Sequence, residues 1–156
     1  MTRNMSFGSA EFGDRTLLMA LHTESAPSDQ EWGEWTDFIG PLSKRVNQDL
    51  QRCPNLVITD GGAPSTAQRT AVNVLIAQAE TMPPIAVVTE SLTVRTVLRG
   101  LSIFNPRVRA FAPTDMEGAL VHLGIPPSER RTVIDACRRI ERAQGMTVRT
   151  LRAVPR

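Results

Sequence analysis

Residues 54–69 read Pro-Asn-Leu-Val-Ile-Thr-Asp-Gly-Gly-Ala-Pro-Ser-Thr-Ala-Gln-Arg. Leu56-Val57-Ile58 is short, β-rich and bounded by Pro54 and by Asp60-Gly61-Gly62, which marks a buried strand ending in a tight turn. Ser65 with Gln68 forms a capping box, in which two side chains meet free backbone N–H groups at a helix start. Val72, Leu75, Ile76 and Ala79 then recur on one helical face until Pro83-Pro84 stops the helix. Strand, glycine turn and helix in that order are half of a βαβ unit, so the neighbouring segments decide whether a parallel sheet follows.

They do repeat the unit. Residues 85–88 are four apolar residues in a row, as in a strand covered on both faces. Thr89-Glu90-Ser91 caps a helix with Val94, Val97, Leu98 and Leu101 inward, and residues 108–112 form a last short strand. Thr114 with Glu117 makes a third capping box, leading into Ala119, Leu120 and Leu123 with Gly124 as the stop. Pro126-Pro127-Ser128 opens a final helix whose inner stripe is Val133, Ile134, Cys137 and Ile140. Towards the N-terminus, residues 16–22 are an apolar strand paired through Gly13-Asp14 with residues 5–12 in a hairpin. Ser28 and Glu31 cap the next helix, in which Trp32, Trp35, Ile39, Leu42 and Val46 fall at helical spacing, so both tryptophans read as core anchors. Gly40-Pro41 predicts a kink or a split in it.

The order β-β-α-β-α-β-α-β-α-α predicts an α/β fold, a small mixed, mostly parallel sheet of four to five strands with helices packed on it. One sheet face left partly uncovered favours a partner or a second copy there. Residues 1–145 read as a single domain, and residues 146–156, with three arginines and little periodicity, as a mobile basic tail.

Composition bounds the function. The 156 residues are 41% hydrophobic and 22% charged, an ordinary globular composition. Cys53 and Cys137 are too few for a disulfide framework and lack metal-ligand spacing, which points to a reduced, cytoplasmic setting without bound metal. The longest apolar run, residues 17–21, falls far short of the ~20 residues of a membrane helix. The first thirteen residues lack the apolar core of a signal peptide. Residues 1–90 carry six Lys or Arg against eleven Asp or Glu, whereas residues 91–156 carry twelve Arg against five acids.

Ligands of open α/β sheets bind beyond the carboxyl ends of the strands. Here that selects His22-Thr23, residues 60–66, residues 89–91 and Pro113-Thr114. The Asp60 turn is the most informative, because two glycines let a ligand approach the backbone and two hydroxyls stand at a helix start. The plainer reading of the same residues is a glycine turn followed by an N-cap.

This strand and turn, with residues 85–91 (IAVVTES), 98–104 (LRGLSIF), 108–113 (VRAFAP) and 114–124 (TDMEGALVHLG), resemble STAS-like domains typified by bacterial anti-sigma-factor antagonists. The resemblance spans roughly residues 5–124 and rests on element order and short stretches. It implies a non-enzymatic regulatory or scaffold module that binds a kinase-like protein partner, needs no cofactor, and is switched by phosphorylation of a serine in an Asp-Ser-Ser-Gly turn. Gly61 and Gly62 stand at those serine positions, so only Ser65 or Thr66 offers a substitute. The implied partner surface comprises Asp60, Gly61, Gly62, Ser65, Thr66 and Arg69, extended by Ser91, Arg95 and Arg99.

Three other readings compete. Residues 54–64 also look like the phosphoacceptor loop of a two-component receiver, with Asp60 as acceptor and Thr89 as switch hydroxyl. Against it, residues 17–22 lack the acidic pair that binds Mg²⁺, and residues 108–113 lack the lysine. His22, Asp60 and Ser65 could form a hydrolytic constellation at the sheet edge, but no nucleophile elbow, phosphate loop or dinucleotide fingerprint accompanies them. Arg130, Arg131, Arg138, Arg139 and Arg142, continued by Arg149, Arg152 and Arg156, could follow nucleic acid, yet the chain has no tyrosine and few aromatics to stack bases. A solvated basic face or a dock for an acidic protein fits that helix better. The sequence therefore favours a protein-binding module, with a homo-oligomer left open.

Overall fold

The computed structural model describes residues 2–46, 49–77, 81–103 and 105–156. Strands β1 (Met5–Phe12), β2 (Arg15–His22), β3 (Asn55–Thr59), β4 (Ile85–Val88) and β5 (Val108–Phe111) form one sheet in the order β1-β2-β3-β4-β5. The hairpin β1/β2 is antiparallel, with Met5 opposite His22, and every other pair is parallel. Gly13, at φ 60°, takes the left-handed conformation that closes the hairpin.

Helices α1 (Asp29–Arg45), α2 (Thr66–Ala77) and α3 (Leu92–Ser102) join successive parallel strands. Because each crossover steps the same way along the sheet, the right-handed rule puts all three on one face. Phe7, Leu18, Ala20 and Val57 meet Trp32 and Trp35 there. Phe7 also lies 5.4 Å from Trp35 in a T-shaped pair, so the tryptophans are core anchors as their spacing predicts. After β5 the chain crosses to the other face, where α4 (Met116–His122), α5 (Arg130–Ala143) and α6 (Arg149–Arg152) cover Leu17, Met19, Leu21, Leu56, Ile58 and Val88. Alternation along the strands thus feeds two separate apolar clusters.

The structure corrects the sequence reading in four places. Helix α1 is not split at Pro41 but continues to Arg45, because Pro41 and Asp37, whose carbonyl loses its donor, both face water. Asp115, not Thr114, caps α4 by accepting from the Gly118 N–H at 3.2 Å, following a short 3-10 turn at Pro113–Asp115. Val97 is 59% exposed, since α3 turns Val94 and Leu98 inward instead. Residues 146–156 are not a loose tail: Met146, Val148, Leu151 and Val154 are buried in the main cluster, and Arg149–Arg152 form a helical turn. Their spacing mixes extended and helical periods over too few residues to register as either. Of the expected inner-face residues, Ala79 lies outside the described residues, as do the side chains of Leu75, Ile76 and Leu101.

Candidate functional site

β3 and β4 both end in a threonine turn. The Thr59 hydroxyl accepts from the Gly61 N–H at 3.0 Å and donates to the Gly62 carbonyl at 2.9 Å, and the Thr89 hydroxyl accepts from the Ser91 N–H at 3.1 Å. Gly61 has φ 127°, a conformation that side chains resist. A Cβ on Gly62 would run into the carbonyl oxygens of Thr23 and Ser25. Both glycines are therefore required by the turn itself.

Between these strand ends sits the chain's own C-terminal segment. Asp60 accepts from the backbone N–H groups of Arg149 and Thr150, each at 2.8 Å, and its side chain is only 5% exposed. The Thr150 hydroxyl donates to the Thr59 carbonyl at 3.0 Å and accepts from the Glu90 N–H at 3.4 Å. Arg149 also pairs with Glu24 at 2.8 Å. Asp60 is thus an N-terminal cap for α6, and both its oxygens are engaged. Thr150 ties β3 to β4 where a ligand of an open sheet would enter.

This arrangement commits both Asp60 oxygens to α6 and leaves the residues of the hydrolytic reading unjoined. No hydrogen bond joins His22, Asp60 and Ser65 among the described residues. His22 is buried, and burial pushes its pKa down to about 4 against the opposing pull of Glu31, leaving the ring neutral at pH 7. Burial alone would raise the Glu31 carboxyl, but the N–H groups of Ser28, Asn4 and Met5 and the Ser28 hydroxyl together hold it below its usual value. Burial pushes the Cys137 thiol up to about 12 and raises Cys53 despite Arg45 and Arg52, so neither is an activated nucleophile. Among the described residues no three His, Cys, Asp or Glu side chains are placed to hold a metal ion.

The helix starts on the other side of the turn remain accessible. Ser65 is exposed yet committed to its cap: its hydroxyl accepts from the Gln68 N–H at 3.2 Å, and Gln68 Oε1 accepts from the Ser65 N–H at 3.0 Å. Thr66 is exposed, and Arg69 donates to its hydroxyl at 3.1 Å. Ser91 caps α3 by accepting from the Val94 N–H at 3.2 Å. Arg95 is half-buried, with an Nε that has no partner among the described residues, and Arg99 is exposed.

No protein-family model matches this chain, and no curated protein or solved structure matches it significantly. The site therefore rests on its own geometry. Of the sequence-selected surface, Ser65, Thr66, Arg69 and Arg99 stand exposed on α2 and α3, whereas Asp60 faces inward onto α6. Sequence reading missed Thr150, whose role depends on a contact across ninety residues. It also missed the wider part of Gln68, whose side-chain amide donates to Pro27 O at 3.1 Å and Asp29 at 2.9 Å while its backbone carbonyl accepts from Trp32 Nε1 at 2.7 Å. That network fixes the start of α2 against α1.

Proposed function

We propose that the chain is a STAS-like, non-catalytic regulatory domain, working in the cytoplasm, that binds an acidic protein partner on the outer surface of α2 and α3. The observation carrying this reading is the concentration of exposed apolar residues there. Of six exposed large hydrophobic residues among those described, Val74, Met82, Leu92, Val97 and Ile103 lie on α2, α3 or their connections, with Leu92 73% and Ile103 79% exposed. Such clustering marks an interaction surface more than scattered exposure does. Neither helix carries an Asp or Glu, and their only charges are Arg69, Arg95 and Arg99. Apolar anchors ringed by guanidinium groups suit a partner presenting carboxylates around an apolar stripe.

Phosphorylation would act at the same place. A phosphate on Thr66 would stand in the first turn of α2 beside Arg69, adding about −1.5 to −2 charges to a surface that otherwise attracts acids. Ser65 is the poorer acceptor, because modifying it sacrifices the cap that Gln68 completes.

The test is affinity purification of the tagged chain from its native host, beside a Leu92→Ser/Arg99→Glu variant, with mass spectrometry of co-purifying proteins and of the peptide containing Ser65 and Thr66. The reading expects a stoichiometric protein bound to the wild type and absent from the variant, with any phosphate on Thr66. A lone, unmodified chain, or a partner retained by the variant, overturns it.

A further inference from the structure

On the opposite face of the molecule a groove of about 690 Å³ is lined by residues of α5 together with Glu117, Pro127, Pro155 and Arg156. Its cations are not equivalent. Arg130 is paired with Glu117 and donates to the Ile125 carbonyl. Arg138 reaches Asp135 at 3.6 Å and the Val154 carbonyl at 3.5 Å. Arg131, Arg142 and Arg156 are exposed and have no hydrogen-bond or ion-pair partner among the described residues. Both acids in the groove are thus already answered, and the three remaining guanidinium groups leave it net positive.

The spacing defines a linear ligand. At about 100° per residue, Arg131, Arg138 and Arg142 fall within roughly 40° of one another around the helix. They form a row in which Arg138 and Arg142 are about 6 Å apart along the axis, and the whole row spans about 16 Å. Alternate side chains of an extended peptide recur about every 6.8 Å. A strand-like acidic segment laid along the row meets Arg138 and Arg142 with alternate residues and Arg131, about 10.5 Å away from Arg138, with a carboxylate three residues on; Ile134, Pro127 and Pro155 are the apolar residues of the lining. No aromatic side chain lines the groove, so it offers no platform on which nucleic-acid bases could stack.

We infer that the α5 groove binds an extended acidic protein segment, aligned by Arg131, Arg142 and Arg156. It is separate from the α2–α3 surface and would hold whether or not that surface binds a partner.

The experiment is fluorescence anisotropy with a labelled hepta-glutamate peptide, titrated with the full chain, an Arg131→Glu/Arg142→Glu variant and a Leu92→Ser variant. A length-matched oligothymidylate serves as competitor. Saturable binding that weakens about tenfold or more in the double variant, falls with added salt and is unchanged in Leu92→Ser supports the inference. Both replaced arginines are exposed and unpaired, so the variant should keep the wild-type melting transition, which is checked in parallel. No saturable binding, equal binding by a folded double variant, or tighter binding of the oligonucleotide through the same arginines overturns it.

Discussion

On one face of the sheet α4, α5 and α6 bury Leu120, Leu123, Val133, Val148 and Leu151, whereas on the other α2 and α3 leave Val74, Leu92 and Val97 in water. The first face is closed by a chain segment that carries little sequence signal, held in place by Asp60 and Thr150. On the second, a cavity of about 180 Å³ opens between α1 and α2, among Trp35, Leu42, Val57, Val72 and Ile85. A fold that completes one face with its own C-terminal residues has the means to cover apolar surface. Its exposure of the other face is what directs the functional reading to α2 and α3.

The contrast can be broken most forcefully at Leu151. If the C-terminal segment is core, Leu151→Ala costs about 2–5 kcal/mol in chemical denaturation; a loose tail would cost nothing measurable. The next test concerns acid. His22 in the fold holds its proton only below about pH 4, against 6.5 for an unperturbed ring. Stability is therefore full above pH 6.5 and falls as the pH drops towards 4, by about 3 kcal/mol. Glu31, whose carboxyl is also lowered, adds a loss of the same sign at more acid pH. A His22→Leu variant should lose the slope between pH 6.5 and 4 while keeping the later one, as followed by urea denaturation across that range.

Asp60→Ala should cost about 1.5–3 kcal/mol, the range for hydrogen bonds to a charged group. It should also release Arg149 and Thr150, seen as faster amide exchange at those two positions. Smallest of all, Leu92→Ser should move stability by no more than about 0.5 kcal/mol, because its side chain is already in water. A larger loss by thermal melting would mean that α3 is covered within the monomer and that the two faces are not different in kind.

Much of this was legible in the residues. Leu56-Val57-Ile58, the apolar run at 85–88 and the capping pairs Ser28/Glu31 and Ser65/Gln68 are local signals, and local signals place strands and helix starts well. The exposure of Thr66 and Arg69 was legible for the same reason, since both lie in the first turn of α2, just past its cap. The role of Asp60 was not, because a carboxylate beside two glycines reads equally as a ligand group or a cap until its donors are known. Those donors, the N–H groups of Arg149 and Thr150, belong to a four-residue helix too short to show a period. The exposure of Val97 was hidden too, because a helical stripe shows which residues are apolar and not how far the sheet extends beneath them.

The most direct measurement is site-specific photo-crosslinking in the native host, with a photoreactive residue at Leu92 or Val97 on the open face and at Val121, which is 56% exposed on the closed one. Docking on α2 and α3 predicts one discrete protein adduct from Leu92 and Val97, identified by mass spectrometry, and none from Val121. No adduct at the first two positions, or the same adduct from all three, would contradict it.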